Sequence, residues 1–411
     1  MKRLAPLFVC LLFGFHLAGA SAQDIAVKAD KIYTVSGAAI ENGVVIIRDG
    51  KIRRVGPAAS VRIPSGVDVV EAAVVTPGLI DAHTVVGLAG YLNQAHDQDQ
   101  LETSEAIQPE LRAIDAYNAR EMLVEWLRSF GVTTIHTGHG PGEIISGQTM
   151  IARTTGDTVA DAVIRPAAML AVTLGESARQ LNEGRKSPGT RAKTVSMLRS
   201  QLVQARDYVE KQQAAAGDKD KEAPARDLRF EALSAVLSRE MPLLVTAHRH
   251  NDIVNALRIA ADFDIEVVLD GAAESYLLID EIKAAGVPVI LHPPMMRAWG
   301  ERENASYTTA RKLLDAGIPM TIQSGYESYV PKTRVILFEA AILLQHGLSF
   351  DETLALITLD AARILGLEDR IGSLQKGKDG NLALYDGDPF EYTTRATGTI
   401  IEGKLVSNVV R

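Results

Sequence analysis

From residue 24 onward the apolar and polar positions keep two different rhythms. Residues 24–30, Asp24-Ile25-Ala26-Val27-Lys28-Ala29-Asp30, largely alternate between the two classes, and residues 43–48 extend the same texture. Successive side chains of a strand point to opposite faces, so this rhythm predicts strands with one covered face. Asp49-Gly50, set between residues 43–48 and 51–55, is a hairpin turn signal. The C-terminal end has the same texture, with a strand and turn over 381–388 and a repeat of the pattern over 399–406. Two β pieces at opposite ends of a chain pack most simply side by side. They predict a small composite β-sandwich domain built from both chain termini.

Between them, apolar runs alternate with helical periodicity, which is the α/β signature. The strands read as 132–137, 243–247, 265–269, 287–291 and 319–323, with helices over 121–130, 191–213, 252–262 and 307–316. Residues 165–175 fit neither rhythm clearly, and the charged, small-residue stretch 214–224 reads as an exposed loop. The length suits one large barrel with a small appendage. The fold expected is α/β, a (β/α)8 TIM-like barrel over 74–366 flanked by sandwich pieces over 23–73 and 367–411.

Composition changes this picture in two ways. Lys2 and Arg3, an apolar run over 4–20 and the small residues Ala20-Ser21-Ala22 read as a cleavable signal peptide over 1–22. That predicts a periplasmic or secreted protein. The only cysteine, Cys10, falls in the leader, so the rest of the chain offers no disulfide and no thiolate for zinc. Of 43 basic residues the leader holds two, leaving 41 against 51 acidic ones, a net charge of −10. Such a balance argues against nucleic acid and anionic membrane as partners. The partner expected is a small-molecule substrate, with a homo-oligomer left open.

The candidate chemistry gathers at strand ends. The stretch 74–87, VVTPGLIDAHTVVG, is a buried apolar strand that ends on Asp81-Ala82-His83. Other strands end near His136 and His139, at His248 and His250, at Asp270-Gly271, at His292-Pro293 and at Ser324-Gly325. In a parallel α/β barrel that end carries the active site. A single histidine there is most often a hydrogen-bonded structural residue. His250 alternates away from His248 and reads as structural, while His96 and His346 read as surface or loop residues.

Four segments in order resemble the amidohydrolase superfamily, in its imidazolonepropionase-like branch. They are PGLIDAH at 77–83, FGVTTIHTGHGPGEIISGQ at 130–148, TAHRHNDI at 246–253 and ITLDAARILGLEDRIGSLQKGKDGNLALYDGDP at 357–389. The resemblance implies a barrel inserted in a composite β domain, and a divalent metal site. Carried over position by position, the first histidine is His83 and the second is replaced by Val85. The lysine position holds Arg153, the next histidine is His248, the one after it is Asp270, and the final aspartate is Gly325.

The ligand set this implies is His83, His248 and Asp270, with His292 or His136 completing it. It would hold at most one divalent ion, zinc by expectation. Asp270 and Glu327, the carboxylate nearest to Gly325, are the candidate catalytic groups. The activity implied is hydrolysis of carbon–nitrogen bonds other than peptide bonds. The alternatives are a non-catalytic binding or scaffold relative that has lost its metal, and a metal-free hydrolase using histidine–carboxylate pairs.

Overall fold

The computed structural model describes residues 24–179, 187–218, 220–326 and 335–411. Seven strands form one sheet in the order β17-β16-β15-β4-β1-β2-β3. They are β1 Ile25–Ile32, β2 Ile40–Arg48, β3 Lys51–Pro57, β4 Asp68–Pro77, β15 Leu382–Tyr385, β16 Ala396–Ile401 and β17 Lys404–Ser407. Both ends of the chain therefore build the appended domain, and β15 from the C-terminal end joins β4 antiparallel. The expected sandwich takes the form of a single hydrogen-bonded sheet. Val27, Val45, Ile52, Leu382 and Ile400 pack together in its core.

β4 leaves that sheet at Pro77, and β5 (Leu79–Thr84) starts one residue later in the second part of the molecule. Gly78 makes the junction. A Cβ there would lie 2.3 Å from the Thr133 side chain, so only glycine lets the chain pass. β5 pairs in parallel with β6 (Val132–Thr137). β10 (Leu170–Thr173), β11 (Leu243–Ala247), β12 (Val267–Gly271), β13 (Val289–Leu291) and β14 (Met320–Ile322) follow in parallel order. Past β14, Gly325 N donates to His83 O at 3.2 Å, which brings the last strand back beside β5. The fold is TIM-barrel-like α/β with an extra domain.

One position departs from an all-parallel barrel. β7 (Ile145–Gln148) runs antiparallel to β10, and β8 (Met150–Arg153) runs antiparallel to β6 and to the short β9 (Val163–Arg165). The reason lies in the connection. Only residues 138–144 separate β6 from β7, and a parallel return needs a crossover of roughly a dozen residues or more.

Other boundaries shift for local reasons. The ambiguous stretch 165–175 contains β10. The helix expected over 191–213 runs Arg191–Gly217 and takes in Ala214, Ala215 and Ala216 from the stretch expected as loop. Alanine is the strongest helix former, and extending an existing helix costs little. The helix expected over 252–262 runs His250–Phe263 and so includes His250. Among the described residues no helix is long and apolar enough to cross a membrane.

Strand alternation sorts the barrel side chains. Leu243, Val245, Val267, Leu269, Val289 and Leu291 belong to the large core shared with the helices. Leu244, Val268 and Ile290 face the other way, joining Ile80, Ile151, Leu365 and Ile371 in a separate apolar cluster. Two residues further along each strand, the same face presents Thr246, Asp270 and His292. An apolar plug therefore lies under a polar layer at the C-terminal strand ends.

Candidate active site at the strand ends

His83 and Asp270 form the centre. Each is the penultimate residue of its strand, and both are buried. His83 Nδ1 lies 2.8 Å from Asp270 Oδ1. Thr246 Oγ1 donates to Asp270 Oδ2 at 2.6 Å, and Gln323 Nε2 donates to Oδ1 at 2.7 Å. Burial works to raise the Asp270 carboxyl, but the charge and hydrogen bond of His83, with that of Thr246, hold it below the ordinary carboxylate range. Burial likewise works to lower His83, and the Asp270 charge and hydrogen bond outweigh it, leaving the imidazole above its ordinary value. The two shifts agree in describing an ion pair that burial alone would not support.

Asp81 sits two residues before His83 on the same strand and is fully buried. Ser324 N donates to its Oδ1 at 3.0 Å, and the Ser324 hydroxyl donates to Oδ2. Burial nevertheless pushes this carboxyl up to about 6. Asp81 thus pins the end of β14 against β5.

His83, His248, Asp270 and His292 all lie on the wall of one cavity of about 40 Å³, shared with Met296 and Tyr326. His248 follows β11 directly, and its ring rests on Gly271, where φ is +75° and a Cβ would lie 2.5 Å from His248 Cε1. Burial, then the Arg302 charge, lowers His248 to about 3, and burial lowers His292 to about 4. His292 Nδ1 meets Pro293 O at 3.0 Å. Three buried ring nitrogens, His83 Nε2, His248 Nδ1 and His292 Nε2, have no hydrogen-bond partner among the described residues.

The remaining candidates go elsewhere. His136 is fully buried with both nitrogens occupied, Nδ1 by Ala82 O and Nε2 by Thr149 Oγ1, each at 2.7 Å. It is a structural residue and not a spare ligand. His139 is buried away from that cavity's wall, against Gly147, and burial lowers it to about 4. His250 begins a helix and meets Glu274 Oε2 at 2.8 Å. His96 is exposed, and His346 stacks on Tyr307. Glu327 lies outside the described residues.

Arg153 overturns one expectation. The family resemblance implies a place among the ligand positions for it, but it pairs with Glu402 of the appended domain, Nε to Oε1 at 2.9 Å. Because β8 is antiparallel, Arg153 is paired with Thr134 on β6, while Met150 faces Thr137 at the strand's C-terminal end. Sequence reasoning also missed Thr246, Gln323 and Asp81. All three stand two residues before a strand-end residue that it had singled out, and alternation alone could have found them.

Asp270 meets hydrogen-bond donors in this structure and not an open coordination position. Asp270 accepts from three side chains, which occupy both of its oxygens. Val85 stands buried in the cavity wall with no lone pair to offer. Among the described residues no three His, Cys, Asp or Glu side chains come together so as to hold an ion.

A TIM-barrel-like chain with histidines and a carboxylate at its strand ends defines a class. Residues 88–407 match the amidohydrolase family, and the chain belongs to it. The amidohydrolase tasK of Hapsidospora irregularis is 23% identical over 413 residues, covering 92% of this chain. The chain spans only 40% of that protein's length. An imidazolonepropionase of Mesorhizobium japonicum is 25% identical over 384 residues, covering 84% of this chain and 87% of the relative. The crystal structure of an amidohydrolase from Thermotoga maritima superposes with a TM-score of 0.88 at 25% identity, covering 94% of this chain and 100% of that one.

Proposed function

We propose that the chain is a hydrolase of carbon–nitrogen bonds other than ordinary peptide links, acting on a small molecule at the His83–Asp270 pair. Family membership and the names of the imidazolonepropionase and amidohydrolase relatives support the reaction class. The observation that carries the reading is the network itself. A buried carboxylate with three donors holds one edge of an imidazole, and the other edge borders the cavity at the strand ends. A histidine oriented in this way can move a proton to and from a reacting group. The leader supports export to the periplasm or beyond.

A second reading is a non-catalytic binding relative. It is favoured by Val85 and Gly325 at positions where the family resemblance implies polar residues, and by a cavity of about 40 Å³, smaller than an amide substrate. A substrate would have to displace wall residues such as Met296 and Tyr326.

The test is a panel of cyclic amides, imidazolones, N-acylated amino acids and dipeptides, followed by mass spectrometry with wild type and His83→Ala. Cleavage of a non-peptide member by wild type alone supports the first reading. Binding without turnover supports the second, and cleavage of dipeptides only would contradict the bond class.

A further inference from the structure

We propose that residues 295–304 form a strap that closes the cavity at the strand ends, and that Glu301 is the latch whose release admits a substrate. The substrate part rests on the hydrolase reading above; the strap and its latch do not.

The strap lies between the end of β13 and the helix Thr309–Asp315. Met296 and Arg302 stand on the cavity wall, so the strap supplies part of the enclosure. Its own burial is slight. Of residues 295–304 Met296 alone is buried, while Met295 and Trp299 are exposed. A segment with few buried apolar contacts opens at a fraction of the free energy that unfolds the whole chain. The space it closes is about 40 Å³, little more than the ~30 Å³ share of one water. An amide therefore enters only when the wall moves, and this is a wall segment whose hold is polar.

At the start of the strap Met295 N donates to Glu339 Oε2 at 2.7 Å, which ties down one end. Further along, Arg249 pairs with Glu303, and Asn304 Nδ2 donates to Glu274 Oε1 at 2.8 Å. The Glu303 side chain is 56% exposed, and exposed pairs of this kind contribute little. Glu301 differs, because its side chain is only 8% exposed. It reaches the loop after β10. Glu176 N and Arg191 Nη2 donate to its Oε1, the latter at 3.4 Å. Ser177 N and Ser177 Oγ donate to its Oε2 at 3.1 and 2.8 Å.

Successive backbone N–H groups in a turn make a concave seat for an anion. Gly175 permits this one. Its φ is +98°, and a Cβ there would lie 2.4 Å from Glu301 Oε1. Arg191 is held from its other side by Asp252, Nε to Oδ2 at 2.9 Å. The seat thus belongs to the barrel, and the strap brings the carboxylate. Arg302 is the next residue after Glu301, so release of the latch frees a residue of the cavity wall.

The test reads access directly. Diethyl pyrocarbonate acylates neutral imidazoles that it can reach. His292 is the reporter, since it is buried on the cavity wall and its Nε2 has no hydrogen-bond partner among the described residues. His136, fully buried with both nitrogens occupied, reports general loosening. The full chain is labelled as wild type, Glu301→Gln and Ser177→Ala, and rates at each histidine are read by peptide mass spectrometry. Glu301→Gln turns one acceptor oxygen into an NH2 group facing these donors. It should speed labelling of His292 by ~10-fold or more, Ser177→Ala by less, with His136 constant throughout. Should Glu301→Gln fail to fold, Ser177→Ala carries the test. Unchanged labelling of His292, or an equal rise at His136, overturns the proposal. On a substrate that wild type cleaves, kcat/KM should rise in Glu301→Gln with the open population. An unchanged kcat/KM beside faster labelling removes the substrate part. Faster labelling with no hydrolysis anywhere on the panel removes the hydrolase reading, and the latched strap stands.

Discussion

Lowering the pH from 7.5 to 5.5 should destabilise this protein through its buried imidazoles. Burial depresses His136 and His248 to about 3 and His139 and His292 to about 4. Each stays neutral in the fold while the unfolded chain takes up a proton near pH 6.5. A group with a depressed folded pKa that is neutral when deprotonated loses stability as pH falls below the unfolded value. At pH 5.5 the cost is about 1.4 kcal/mol per histidine, or roughly 5 kcal/mol for all of them. Two groups work the other way. Asp81, raised to about 6, takes up its proton in the fold first and offsets about 1 kcal/mol. His83 is raised, so its contribution is fully present at low pH and is lost as pH rises through its folded value. The histidines less Asp81 leave a loss of about 4 kcal/mol, which His83 reduces, a large share of the ~5–15 kcal/mol that holds a typical domain. Urea melts at constant ionic strength and pH 7.5, 6.5 and 5.5 measure it. His136→Gln removes one such group, and its loss per pH unit should be shallower by up to about 1.4 kcal/mol. Equal stability at all three pH values, or an unchanged slope in the variant, would refute the reasoning.

Further expectations concern single residues. Gly271→Ala adds a Cβ 2.5 Å from the His248 ring at a φ of +75°, and should cost about 1–3 kcal/mol in a denaturant melt. Thr246→Val strips a donor from the buried Asp270 carboxylate and should lower stability by about 1–3 kcal/mol in the same assay. Arg191→Met leaves the buried Asp252 without its 2.9 Å cation and should cost about 3 kcal/mol. Asp270→Asn should reduce kcat by ~10³-fold or more, because an amide no longer holds His83 in one tautomer, with KM changed far less.

Much of the fold was legible because period-two and helical rhythms are written locally. β6 and β11 fall where the apolar runs put them, and the pairing of both termini followed from their shared texture. The reversed direction of β7 and β8 was not legible, because apolar runs carry no sign of direction. The short connection over 138–144 was the available clue. That reversal also explains why Arg153 ends beside Glu402 and away from His83. At the site, the residue types at strand ends pointed to His83, His248, Asp270 and His292, and these share a cavity wall. Their roles were harder to read. Whether Asp270 binds an ion or a histidine depends on Thr246 and Gln323, whose hydrogen bonds come from two other strand ends. Alternation places Thr246 and Gln323 on the face of the site, but which side chain each one bonds is set by the register between strands.

The central claim is that hydrolysis runs at the His83–Asp270 pair. The most direct measurement is the hydrolysis rate on a substrate from the panel for wild type, His83→Ala and His346→Ala. The account predicts a rate lost in His83→Ala and kept in His346→Ala. Equal rates in all three proteins would contradict it.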